Sequence, residues 1–217
     1  MLTFTFGDIH GCLAPLTRLL AKCHRYAAGR PACFIFLGDY IDRGPDSRGV
    51  VELIMAMQDA DPDGVIALAG NHEDFLHRLD RPADVAVWLA NGGSATLASY
   101  GEASVTGLPQ DHLTWLRDLP THFDDGKRFF VHAGIRPGVP LDRQSREDML
   151  WIRQPFLNSD LDHGRLIIQG HTPTESRQPD IRHNRVNIDT GCVYGGPLTA
   201  AVFTEATSLP IKFIQSR

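Results

Sequence analysis

The run Cys33-Phe34-Ile35-Phe36-Leu37-Gly38-Asp39-Tyr40-Ile41-Asp42-Arg43-Gly44 decides the fold. Its aromatic and β-branched half reads as a buried strand, and Gly38 lets the backbone turn sharply as it leaves the sheet. The turn then presents two carboxylates and a guanidinium before an amphipathic helix over 47–58. Val50, Val51, Leu53, Ile54 and Met57 form the apolar side of that helix, with Asp46 or Ser47 as its N-cap. The same unit occurs upstream. Residues 2–6 lead into Gly7-Asp8-Ile9-His10-Gly11, and Leu13, Leu16, Leu19, Leu20 and Cys23 then recur at helical spacing until Gly29 stops the pattern.

Three later strands end in the same way. Residues 65–69 lead into Gly70-Asn71-His72-Glu73, residues 128–131 into His132-Ala133-Gly134, and residues 166–168 into Gln169-Gly170-His171. Further apolar runs cover 186–188 and 198–203. The stretch from His72 to Leu119 reads as helical throughout, and Asp124-Asp125-Gly126-Lys127 reads as a hairpin turn opening a strand-rich C-terminal part. Alternating β and α units, a helical insert and then mostly strands predict an α/β layered fold with a mixed central sheet. No internal repeat and no linker divides the 217 residues, so a single domain over 1–217 is expected.

Composition removes several classes of function. Lys plus Arg is 21 against 26 Asp plus Glu, a formal charge of −5, which disfavours a nonspecific nucleic-acid binder. No apolar run approaches the roughly 18 residues of a membrane helix, and Met1–Phe6 has no basic start, so neither membrane nor secretion is expected. Cys12, Cys23, Cys33 and Cys192 show no Cys-x-x-Cys spacing and read as reduced thiols of a cytoplasmic protein.

The informative pattern is that five strands end in Asp, His or Asn beside a glycine. In α/β sheets, ligands bind at the carboxyl ends of strands, where loops from several strands converge. Asp and Asn oxygens with His nitrogens, and no thiolate, suit a borderline divalent ion such as Mn, Fe or Zn. Asp8, His10, Asp39, Asn71, His132 and His171 exceed what one tetrahedral site needs. Two metals sharing a bridging carboxylate would use all six, and such pairs are a common device for phosphate-ester hydrolysis. Each piece alone has a plainer explanation as a turn, a cap or a core histidine. All five coinciding does not.

Gly-Asp-x-His-Gly, Gly-Asp-x-x-Asp-Arg-Gly, Gly-Asn-His-Glu, His-Ala-Gly and Gly-His, in this order, resemble the phosphoprotein phosphatase family of metallophosphoesterases. The likeness runs from residue 7 to about 200 and is nearest the compact bacterial and phage branch typified by the phage lambda phosphatase. Trp88-Leu89-Ala90-Asn91-Gly92-Gly93 and Ile188-Asp189-Thr190-Gly191 resemble that branch too.

The resemblance implies a calcineurin-like fold of mixed β-sheets layered between helices. It implies that Asp8, His10 and Asp39 hold one metal while Asp39, Asn71, His132 and His171 hold the other, with Mn²⁺ the first expectation and Fe or Zn the alternatives. It implies His72 as general acid, Asp42 as its orienting carboxylate, and Arg43 and Arg153 as a phosphate clamp, with Arg143 and Arg146 competing for the last position. Water activated by the metals would attack phosphorus directly, without a phosphoenzyme. A phosphorylated protein is the expected substrate and partner. The alternatives are a symmetrical diadenosine-tetraphosphate hydrolase and a silent phosphoprotein-binding scaffold. The segment from Cys192 to Pro197 lacks the longer loop of eukaryotic enzymes, and no regulatory tail is expected after Phe203.

Overall fold

Phe4 and Phe6 of strand β1 (Leu2–Phe6) stack on Phe34 and Phe36 of β2 (Ala32–Phe36), with ring centroids 5.3 and 4.7 Å apart for the pairs Phe4–Phe34 and Phe6–Phe36. All four are buried, each contributing about 1.5–3 kcal/mol from leaving water. This aromatic face lies under helices α1 (Leu13–Ala27) and α2 (Ser47–Ala60), whose Leu16, Leu19, Leu20, Val50, Val51 and Ile54 join the same apolar cluster. The alternate residues Cys33, Ile35 and Leu37 face the other way, into a second cluster. Period-2 alternation with both sets apolar is what a strand covered on both faces requires.

The computed structural model describes all 217 residues. After β3 (Val65–Ala67) the chain runs through α3 (Asn71–Phe75), α4 (Pro82–Trp88), α5 (Ser94–Tyr100) and α6 (Gln110–Asp118). It then enters β4 (His122–Asp124), β5 (Arg128–Val131), α7 (Arg146–Trp151), β6 (Leu166–Gln169), β7 (Asp180–Ile181), β8 (Arg185–Asn187), β9 (Thr199–Thr204) and β10 (Thr207–Gln215). The single central sheet expected from the residue pattern is in fact two. One five-stranded sheet has the order β10-β9-β1-β2-β3 and the other β4-β5-β6-β8-β7. The helical insert between β3 and β4 is where the chain passes from one sheet to the other. Phe130, Ile168, Val186 and Ile188 of the second sheet meet Ile35, Leu37, Ala201 and Phe203 of the first in the apolar layer between them. Phe129, Val131 and Ile167 face outward onto Met149, Ile152 and Phe156. The architecture is therefore α/β/β/α, with mixed sheets layered between helices.

Three strands were not foreseen. β4 and β7 are only three and two residues long. β10 contains Pro210, which argues against a central strand. It is an edge strand, with a register shift between Thr207 and Lys212 where the proline falls. Helix α1 ends one residue before the expected stop, with Ala28 already left-handed at φ 50°. Asp46, not Ser47, caps α2 by accepting the Gly49 N–H at 2.9 Å. The parallel pairings β1–β2–β3 and β5–β6–β8 align the carboxyl ends of six strands, and these positions carry the site.

Candidate metal centre and active site

Few non-glycine residues tolerate a left-handed backbone. Here His10, Asp39, Asp42, Arg43 and His171 all have it, at φ 46°, 55°, 72°, 68° and 65°. Each stands where a strand has ended and the chain must turn its side chain back into the crevice. Neighbouring glycines make the turns possible: a Cβ on Gly44 would fall 1.8 Å from the His10 carbonyl oxygen, and one on Gly70 would fall 2.2 Å from Asp39 Oδ1. Strain of about 1–3 kcal/mol at each such residue is a feature of sites that position ligands.

The expected ligands converge. Asp39 Oδ2 lies 3.3 Å from His10 Nε2, and its Oδ1 lies 3.5 Å from His132 Nε2. Asn71 Oδ1 lies 2.9 Å from His132 Nε2 and 2.8 Å from His171 Nδ1. Asp8 accepts the His171 backbone N–H at 3.1 Å. Two triads, His10 with Asp39 and His72, and Asp8 with Asp39 and His132, each gather their ligand atoms within 4.8 Å of one another. Asp39 belongs to both.

The hydrogen-bond roles fit a cation. His10 donates from Nδ1 to the Ile41 carbonyl and His132 from Nδ1 to the Leu37 carbonyl, both at 2.9 Å. Both Nε2 lone pairs therefore face inward. Burial pushes His132 down to about 3 and His171 to about 2, and it holds His10 well below its usual range, so the rings are neutral at pH 7. The Arg43 guanidinium meets the His10 lone pair, whereas the neutral His132 lone pair held against the Asn71 amide oxygen and the Asp39 carboxylate is repelled unless a cation lies among them. Asp8 and Asp39 are pushed well above the usual carboxylate range by burial first, then by neighbouring acids. A set of nitrogens and oxygens without thiolate suits borderline divalent metals.

His72 follows the ligand Asn71 on α3 and is held differently. Its Nδ1 sits 2.7 Å from Asp42 Oδ2, and its Nε2 is 4.0 Å from Asp39 Oδ2. Asp42 is itself fixed by Thr96 Oγ1 at 2.6 Å and by the Trp88 indole N–H at 3.0 Å, and it is fully buried. Burial pushes Asp42 up to about 7 against the opposing pull of those two donors. The Asn91-Gly92-Gly93 turn also has a positioning role. Gly92, at φ 113°, accepts the Arg43 N–H with its carbonyl at 3.1 Å, and a Cβ there would meet the Arg43 backbone at 2.7 Å.

Arg43 and Arg153 stand at the exposed mouth. The Arg43 guanidinium reaches His10 Nε2 at 2.7 Å. Arg153 follows α7, and its charge adds to the lowering of His171. Of the two competing candidates, Arg146 pairs with Asp74 at 2.9 Å, and Arg143 is exposed shortly before α7.

Two acids quoted in the motifs without a role sit at the same site. Glu73 Oε2 accepts the Gly70 and Asp39 N–H groups at 2.8 and 2.9 Å, and Oε1 accepts that of Tyr40 at 2.9 Å. It clamps the β2 and β3 exits together from below the ligands. Asp189, just past β8, is buried beside Asp8. A sixth strand followed by Asp and then Gly191 repeats the pattern of the other five, and that signal was available in the sequence.

Over residues 1–205 the chain matches the calcineurin-like phosphoesterase family, and it belongs to that family. It is 29% identical over 233 residues to an asymmetrical bis(5'-nucleosyl)-tetraphosphatase, PrpE, of Anoxybacillus flavithermus, covering 94% of this chain and 91% of the relative. It is 31% identical over 207 residues to serine/threonine-protein phosphatase 1 of Salmonella typhimurium, covering 90% and 88%. A protein serine/threonine phosphatase structure from Saccharomyces cerevisiae superposes with a TM-score of 0.64 at 16% identity, covering 99% of this chain and 78% of the other. The chain is thus a metallophosphoesterase with a site fit for divalent metals. No helix is long and apolar enough to cross a membrane.

Proposed function

We propose that this metallophosphoesterase is a protein serine/threonine phosphatase of the bacterial and phage kind, hydrolysing phosphoserine and phosphothreonine esters. Asp8, His10 and Asp39 would hold one divalent ion, and Asp39, Asn71, His132 and His171 the other. When bound, the two ions supply Lewis acidity toward the phosphoryl oxygens and a water acidic enough to attack at neutral pH. His72 donates a proton from Nε2 to the departing alkoxide. Burial and the Arg43 charge hold His72 well below its usual range, so the proton it would give depends on the Asp42 carboxylate at Nδ1, which favours the imidazolium form. Asp42, locked by Trp88 and Thr96, fixes the ring and offsets the imidazolium charge before the proton leaves. Arg43 and Arg153 orient the non-bridging oxygens.

The observation that carries the monoester reading is the pairing of charges around Trp151. Arg136 is neutralised by Asp148, while Arg78 and Arg146 both pair with Asp74. Arg78 and Arg146 thus share one carboxylate, and Arg153 is exposed just past the end of α7; Arg153 with Arg43 would clamp a single phosphoryl group. A second reading, hydrolysis of dinucleoside tetraphosphates, is favoured by the likeness to the PrpE enzyme over 94% of the chain. The test compares kcat/KM for a phosphoserine peptide and for diadenosine tetraphosphate, each with Mn²⁺. A higher value for the peptide supports the proposal, and preferential cleavage of the dinucleotide overturns it.

A further inference from the structure

Five strand ends supply the expected ligands, and the sheet order makes room for a sixth. β8 runs parallel to β6, with Ile168 paired to Val186 and Gln169 to Asn187. The residues leaving these two strands, Gly170-His171 and Ile188-Asp189, therefore emerge side by side. The backbones are in close contact. A Cβ on Gly170 would fall 2.2 Å from Asp8 Oδ1 and 3.7 Å from Asp189 Cβ, and one on Gly7 would fall 3.4 Å from Asp189 Cα.

Asp189 is 2% exposed. Its Oδ1 accepts the Gly191 N–H at 3.0 Å, which is a turn contact. Its Oδ2 is buried with no hydrogen-bond partner. A buried carboxylate oxygen without a donor, next to another carboxylate, is costly unless a cation compensates both. Arg43 and Arg153 act on it only from the mouth of the site.

We infer that Asp189 is a further acidic member of the metal centre, a positioning residue that acts with Asp8 to hold the cation on that side. The inference rests on the two-metal reading above. It separates the two oxygens by role: Oδ1 holds the Gly191 turn, and the charge on Oδ2 serves the metal. Asp189→Asn keeps the Oδ1 acceptor and removes the charge, so it isolates the second role.

The experiment titrates the full-length chain, stripped with chelator, with Mn²⁺ in a calorimeter, and melts the metal-free proteins in parallel. Wild type is expected to take two equivalents. In Asp189→Asn one of the two sites should weaken by about 10–100-fold, the usual effect of removing an outer partner of a metal ligand. The metal-free variant should melt no lower than wild type, because the buried charge without a hydrogen-bond partner on Oδ2 is gone while Oδ1 still holds the Gly191 turn. Unchanged affinity at both sites would overturn the inference. A metal-free variant that melts below wild type or fails to fold would also overturn it, by making Asp189 a buttress of the turn. A wild type that takes no manganese would instead remove the two-metal reading itself.

Discussion

His72 and Asp42 are joined at 2.7 Å inside a buried shell, and the carboxylate has no freedom to leave the ring. Trp88 and Thr96 hold Asp42 from elements more than 40 residues away in the chain. The pair is therefore a fixed imidazole–carboxylate unit.

That arrangement predicts a leaving-group signature. His72→Asn should lower kcat by about 10²–10⁴-fold on a phosphoserine peptide, whose alkoxide needs a proton. The loss on an aryl phosphate should be much smaller, because a phenolate departs without one. Steady-state kinetics on both substrates check this, and equal losses would remove His72 from the acid role.

Trp88→Phe keeps an aromatic ring in this fully buried position but deletes the indole N–H to Asp42 and part of the ring volume. The buried carboxylate then loses one of its donors, and stability should fall by about 1–3 kcal/mol. Activity should fall with it, since Asp42 orients His72. Chemical denaturation together with kcat reads both effects, and a variant with wild-type kcat would show that the indole only packs.

Glu73→Gln addresses the clamp beneath the ligands. One carboxylate accepts the N–H groups of Gly70, Asp39 and Tyr40, and an amide would turn an NH₂ toward some of them. A loss of about 1–3 kcal/mol is expected from the unsatisfied donors. Manganese affinity should also drop, because Asp39 is carried on the clamped loop. Retained affinity with lowered stability would confine Glu73 to folding.

How much of this was legible beforehand depends on the kind of residue. Asp8, His10, Asp39, Asn71, His132 and His171, with His72, Asp42 and Arg43, could be picked out as candidates because they recur in short glycine-containing turns after successive strands, and the fold brings these turns together. The supports could not. Trp88 and Thr96 lie in the helical insert, where a tryptophan reads as core and a threonine as surface, and only the folded path brings both onto Asp42. Glu73 was in view beside His72, but its role lies in backbone N–H groups of another loop. The split into two sheets was absent from the residue pattern, because strand pairing across the insert leaves no local mark, and only the family resemblance implied more than one sheet. β10 was obscured by Pro210, which is tolerated only because that strand is at an edge.

The pair Arg136–Asp148 gives a pH-dependent test that involves none of the proposed metal ligands. Arg136 holds the Asp148 carboxyl below its usual range, chiefly by hydrogen bonding. A depressed carboxylate contributes stability above its unfolded pKa, about 3.9, and loses it as pH falls through the folded value. Arg136→Gln should therefore melt lower than wild type at pH 7, with the gap closing below about pH 4. A gap that does not change with pH would assign the loss to packing.

The central claim is a two-metal site bridged by Asp39. Anomalous X-ray diffraction from manganese-soaked crystals tests it most directly. Two peaks about 3.5–4 Å apart, one on each side of the Asp39 carboxylate, are the predicted result. A single peak, or none among Asp8, His10, Asn71, His132 and His171, would contradict the account.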